Sequence, residues 1–283
     1  MTFSRHDSGV VADARALSSQ VHPVFMLPPL AASWFGSVLA GEFDVALGAV
    51  HMVAVFLAVY TAHVKDGYVD FYVRDEDDDH PLTERGCRLA LALATTGFFL
   101  CLGALWLLVD PVAALVTLPC WLIAYHHAPQ LDTNPVTATT GYPLGIAVAI
   151  VGGYYVQTAG FAAVPLAFAV VFLVLLSGVK VIDDAKDYEY DRSIRKRTVA
   201  VVVGRERART VAFGLMAVGL VAVLAFAAVS VFPPSAAAAV LVFVPVAAFA
   251  RRGTDELATM LLVRGCYLFL AVLLVAVYYQ PLS

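Results

Sequence analysis

The sequence predicts an all-α, polytopic membrane protein of about nine transmembrane helices in a single bundle, and three observations predict it. Hydrophobic residues fill 61% of the 283 positions and charged residues only 14%, against roughly 45–50% and 25% in soluble domains. Apolar runs of about 17 to 25 residues recur along the chain, the length that crosses ~30 Å of hydrocarbon at ~1.5 Å per residue. The 18 Lys and Arg residues all fall near alternate ends of those runs.

Residues 1–20 form a polar tail with Arg5, His6, Asp7, Asp13 and Arg15, and they lack the apolar core of a secretory signal. The first span is predicted over 24–39 and the second over 43–64. Only a few residues, Gly41 and Glu42 among them, separate the two, so they form a tight antiparallel hairpin. Spans follow over 89–109, 111–125, 142–157 and 161–182, then over 211–232, 234–250 and 259–279. The first, fourth and fifth are short and carry Pro or polar residues. The connectors on one face, such as Asp110 with Pro111 or Ala159 with Gly160, are minimal. Those on the other face, 65–88 and 180–209, are the longest polar stretches, and function is sought there.

Basic residues test the span order, because cytoplasmic loops collect Lys and Arg. Two lie in the amino tail, four after span two, nine around the end of span six and the start of span seven, and three after span eight. That accounts for all 18 and leaves none on the opposite side, so the amino terminus and both long loops are expected in the cytoplasm, with the chain integral to the cell membrane. The chain is expected to be one domain over 1–283, with pseudo-repeat halves near 21–140 and 141–283. A net charge of −4, with acids and bases in the same loops, gives no reason to expect nucleic acid as a partner. Cys87, Cys101, Cys120 and Cys266 show no CxxC spacing, which points to core residues and away from disulfides or zinc.

Two aspartate pairs stand at the ends of spans two and six: Asp66 and Asp70, then Asp187 and Asp191, 121 residues apart pair for pair. An i, i+4 spacing puts both carboxylates of a pair on one face of a helix, where they repel unless a cation intervenes. Oxygen-only ligands suit a hard cation such as Mg2+. The second loop adds Asp183 and Asp184 to the acids, and Lys180, Lys186, Arg192, Arg195, Lys196 and Arg197 to the bases. Carboxylates that hold a cation, beside bases that neutralise phosphate oxygens, are what a Mg2+-bound diphosphate needs. The plainer reading is that the bases are membrane anchors with solvated acidic partners; three acids in helical register beside a span, with a matching pair elsewhere, favour the site.

The second motif resembles that of the UbiA superfamily of intramembrane prenyltransferases. The family pattern D-x-x-D-x-E-G-D, followed by K-T-L-P-V-x-x-G, is similar to Asp184, Asp187, Glu189, Tyr190 and Asp191 followed by Arg197, Thr198, Val199, Ala200, Val201 and Gly204. The first family motif, N-D-x-x-D-x-x-x-D, is met by Asp66 and Asp70 but has Ala62 at the Asn position and His63 beside it. The segment from His80 to Gly86 resembles the family's R-P-L-P-x-G.

The resemblance implies nine helices, Mg2+, and transfer of a prenyl group from a prenyl diphosphate to a lipophilic acceptor among the membrane lipids. It assigns Asp66, Asp70, Asp183, Asp184, Asp187 and Asp191 as metal ligands, with Asp66, Asp70, Asp187 and Asp191 the catalytic set. Lys65, Arg74, Lys180, Lys186, Arg192 and Arg197 are the diphosphate-binding bases. Tyr125 matches a common family tyrosine, whereas Asp132 stands where a base would assist. The competing readings are a family member that binds without catalysis and a transporter, whose carboxylates belong near mid-membrane. His51 inside span two is expected to be a hydrogen-bonded core residue, and Gly152 with Gly153 to mark close helix packing.

Overall fold

The computed structural model describes residues 3–194 and 196–280, so Arg195 lies outside the described residues. Its helices are α1 (Val10–Ser18), α2 (Pro23–Val38), α3 (Val45–Tyr68), α4 (Glu84–Leu108), α5 (Pro111–His126), α6 (Pro135–Thr158), α7 (Ala163–Lys186), α8 (Tyr188–Ser193), α9 (Val199–Val203), α10 (Arg205–Ala228), α11 (Ala237–Arg252) and α12 (Asp255–Tyr279). Among the described residues, the β-structure is a single antiparallel bridge between Ser4 and Leu82.

Seven helical segments are long and apolar enough to cross a membrane: those over Val45–Val73, Glu84–Leu108, Pro135–Thr158, Ala163–Lys186, Arg205–Ala228, Pro234–Arg252 and Asp255–Tyr279. Two further predicted spans coincide with α2 and α5, which have 16 residues each. At ~1.5 Å per residue these reach ~24 Å, short of a full hydrocarbon core. Leu93, Leu100, Leu107 and Leu241 are each at least 63% exposed on their helices, as suits helices that face lipid.

Helix starts follow local chemistry. Asp44 accepts hydrogen bonds from the Ala46 and Leu47 amides, and Asp110 does so from Ala113 with Pro111 opening the helix behind it. Thr83, Thr198 and Thr254 cap α4, α9 and α12 in the same way.

The chain forms two compact units, one of residues 3–131 with 148–161 and the other of 132–147 with 162–280. In the first unit α2 lies against the later half of α6. A Cβ on Gly36 would run into the Ile150 carbonyl, and one on Gly153 into the Ser33 carbonyl, so only glycine permits this approach. Ser37 Oγ donates to the Gly153 carbonyl at 3.0 Å, and buried His51 meets Ser33 Oγ through Nδ1 at 2.7 Å. Both sequence expectations are met: His51 is a bonded core residue and the Gly152, Gly153 pair marks tight packing.

The amino tail belongs to this unit as well. Arg5 donates its amide to the Pro81 carbonyl, Thr83 donates to that of Phe3, and Asp13 Oδ1 accepts from the Phe3 and Ser4 amides. Ala16, Val64, Leu82, Cys87 and Ala90 bury one cluster beneath this strap.

In the second unit α7 and α10 approach closely at Gly178, where a Cβ would meet the Ala212 carbonyl at 2.6 Å. Phe168 with Phe232, Phe172 with Phe269 and Phe243 with Phe269 meet tilted or edge-to-face in this core, with centroids 5.0 to 6.2 Å apart, and each such pair contributes beyond its buried area. All four cysteines are unpaired thiols.

Candidate functional site

The first aspartate motif closes α3. The helix does not simply continue through it: Val69–Val73 is a π-helical turn in which the Arg74 amide reaches the Val69 carbonyl at 2.8 Å. The wider turn begins beside Asp70, a local departure from α-helix that is common at functional sites. Asp70 receives Arg74 at 3.5 Å, and Arg74 also stands 3.7 Å from Glu76, whose side chain is only 7% exposed. The side chain of half-buried Asp66 makes no hydrogen bond or ion pair among the described residues.

Lys65 turns to the end of α5, where it donates to the Tyr125 carbonyl and stands 3.9 Å from that ring's centroid. This is a cation–π contact. His63, at the first motif's altered position, bonds the Gln20 carbonyl through Nδ1 at 3.2 Å and meets His22 edge-on.

The second motif lies in the other unit, at the end of α7. Its acids were expected on one continuous helical face, but the helix stops at Lys186 and Asp187 takes φ −94, ψ 14 before α8 begins. Five carboxylates between 183 and 191 repel one another at helical spacing and oppose the negative helix end. A break there relieves both. Its result is a sorting of the acids: Asp184 and Asp191 are buried, while Asp187 is half exposed. Asp184, which lies outside the i, i+4 series of Asp183, Asp187 and Asp191, is thus as deeply buried as Asp191.

Lys180 donates to Asp184 Oδ1 and stands 3.7 Å from Asp183. Lys186 reaches Asp183 at 3.2 Å and Asp187 at 3.6 Å. Loss of water pushes the Asp191 carboxyl up to about 6, with Lys196 pulling it down and Asp184 adding to the rise. A nearby divalent cation would drive it the other way. Arg192 and Arg197 are exposed, with no ion pair among the described residues.

Whether these residues fit a hard cation is answered by their atoms. The buried Asp184 Oδ2 has no hydrogen-bond partner, an arrangement that costs about 1–3 kcal/mol unless something positive approaches, and the donor set is all oxygen. Among the described residues no three His, Cys, Asp or Glu side chains converge as a ligand cage. Lysines neutralise the carboxylates instead. Lys180→Met should consequently lower the melting temperature by about 4–8 °C, because Asp184, 6% exposed, keeps its buried charge without a partner. Lys180→Met with Asp184→Leu should recover most of that loss in a thermal melt. A single variant that melts with the wild type would show the pair to be structurally idle.

Glu76 lies in an acidic run, 75–79, whose composition alone points to a solvated loop and so conceals it. Asp77, Asp78 and Asp79 are indeed exposed. The nearby Arg74 was the available signal.

The model of the UbiA prenyltransferase family matches residues 25–273. The chain belongs to the UbiA prenyltransferase family. No curated protein matches it. Among solved structures, this UbiA family member is similar to a UbiA homologue from Archaeoglobus fulgidus bound to GPP and Mg2+, with TM-score 0.69 and 17% identity over 93% of this chain and 98% of that one. It is similar to the apo UbiA homologue from Aeropyrum pernix K1, with TM-score 0.68 and 14% identity over 90% and 97%. A structure of digeranylgeranylglyceryl phosphate synthase matches with TM-score 0.69 and 12% identity over 90% and 92%. At such identities the likeness establishes the fold, which is the UbiA membrane fold.

Proposed function

We propose that this UbiA family member transfers a prenyl group from a prenyl diphosphate to a lipophilic acceptor within the membrane, with Mg2+ as cofactor. The observation that carries this reading is the second motif, where buried Asp184 and Asp191 stand among Lys180, Lys186 and Lys196 directly after an apolar span. Acids alone would repel a diphosphate and bases alone would leave its metal unheld. The A. fulgidus homologue bound to GPP and Mg2+ supports the same substrate class.

The acids of each motif, Asp183, Asp184, Asp187 and Asp191 in one and Asp66 with Asp70 in the other, would hold Mg2+, which supplies charge neutralisation for a departing diphosphate. Lys180, Lys186, Arg192 and Arg197, with Lys65 and Arg74 of the first motif, would hold phosphate oxygens. The apolar helices exclude water, so an electron-poor allylic carbon is captured by the acceptor and not by solvent. Tyr125, already carrying a cation on its ring face, is suited to stabilise positive charge. The same reading places the motifs and the amino terminus on the cytoplasmic side of the cell membrane.

Purified protein with labelled geranylgeranyl diphosphate, Mg2+ and a membrane lipid extract should release diphosphate and form a prenylated lipid. Metal-independent solute uptake into proteoliposomes, with the diphosphate unconsumed, would overturn the proposal.

A further inference from the structure

The two arginines that end α11 are arranged for a ligand that the aspartate motifs do not concern. α11 ends in Arg251 and Arg252, and between this end and α10 lies a cavity of about 600 Å³ lined by Phe213, Ala247, Ala248, Arg251 and Arg252. That volume falls within the range of roughly 300–1,000 Å³ typical of ligand sites. Its body is apolar and built on two alanines, so little side chain fills it. Its mouth is cationic.

A helix carboxyl end ordinarily repels an anion, because its last carbonyls carry partial negative charge. Here part of that negative end is already engaged, at the Ala250 and Arg251 carbonyls. Arg209 donates to the Arg251 and Gly253 carbonyls at 3.2 and 3.3 Å, and its own charge is met by Asp255. The Arg251 and Arg252 side chains are thereby left without an ion pair among the described residues, and both are exposed. Arg251 is steadied 5.9 Å above the Phe213 ring, which limits its loss of freedom on binding.

Away from the arginines, the two helices flanking the cavity expose Val218 and Val221 on α10 and Leu241 and Val244 on α11, each 49% or more. In a membrane-spanning chain such residues meet acyl chains. The position therefore offers two cations, unpaired among the described residues, at the polar end of two spans and an exposed apolar surface further along them.

We propose that this groove binds one acidic phospholipid, its phosphate on Arg251 and Arg252 and an acyl chain along Phe213, Ala247 and Ala248. A soluble anion would leave the apolar cavity unfilled, and a zwitterionic lipid would bring a cation to a cationic mouth. Basic clefts between spans are suited to such headgroups.

The test uses the full chain in a neutral detergent. Phosphatidylglycerol should raise the melting temperature by about 2–4 °C or more, and native mass spectrometry should show one retained lipid per chain. Phosphatidylcholine and inorganic phosphate should do neither. In Arg251→Gln with Arg252→Gln the shift and the retained lipid should both be lost, whereas Arg251→Lys with Arg252→Lys, which keeps the charge, should retain them. Equal shifts from the two lipids, a shift that survives the Gln variants, or stabilisation by a prenyl diphosphate alone would each overturn the proposal.

Discussion

Gly153→Val should yield little folded protein. The added Cβ alone would collide with the Ser33 carbonyl and lie 3.2 Å from the Ser37 amide. Both are backbone atoms of a helix, and neither can rotate away as a side-chain tip would. Moving α2 aside would also break the Ser37 bond to the Gly153 carbonyl and disturb the buried Ser33 and His51 pair. Overpacking of this kind costs upwards of about 3 kcal/mol once buried hydrogen bonds are lost with it, or roughly 6–12 °C in melting temperature for a chain of this size. Gly103→Ala is the matched control, since a Cβ there meets nothing within 4 Å; helix propensity alone should leave it neutral or slightly stabilising. Thermal melts in detergent decide the matter, and a Gly153→Val protein melting within about 2 °C of the wild type would show that α2 does not dock as described.

Asp187→Ala and Asp66→Ala should each reduce turnover by about a thousandfold or more, equivalent to roughly 4 kcal/mol of lost transition-state stabilisation, while leaving the melting temperature near that of the wild type. The separation follows from burial. The Asp187 side chain is 51% exposed and, among the described residues, pairs only with Lys186, at 3.6 Å, and the Asp66 side chain makes no hydrogen bond or ion pair among them, so neither side chain supports the fold. Exposed pairs of this kind contribute little to stability. Their expected work is on the cation and the diphosphate, and kcat measured beside the melt separates that role from a structural one. Undiminished turnover in either variant would remove that residue from the metal site.

The long spans were legible in the sequence because the bilayer imposes a length and a composition that few other environments require. His51 and the Gly152, Gly153 pair were legible for a related reason: a polar side chain or a missing one inside hydrocarbon needs a packing partner. The sorting of the second motif's acids was not. Helical periodicity puts Asp183, Asp187 and Asp191 on one face, yet the chain breaks at Asp187 and leaves Asp184 and Asp191 buried; periodicity weighs neither the crowding of carboxylates nor the Lys180 pairing of Asp184. The π-helical turn at Val69–Val73 is likewise invisible to a pattern built on 3.6 residues per turn. Glu76 was hidden by its neighbours, because a run of acids reads as solvated wherever one member turns inward.

The strap at the amino terminus settles a question of parity. Ser4 is bridged to Leu82, Leu17 accepts from Tyr60 at the late end of α3, and the Gln20 carbonyl bonds His63 there. The chain is thus still beside that end of α3 at residue 20. By Asp44 it is at the opposite end of the same helix, capping its first turn and exchanging hydrogen bonds with Gln157. A helix that spans the membrane has its two ends on opposite faces, so the chain must change face between those points. α2 is the element available to carry it. Its 16 residues therefore run antiparallel to α3, between segments tied to opposite ends of that helix.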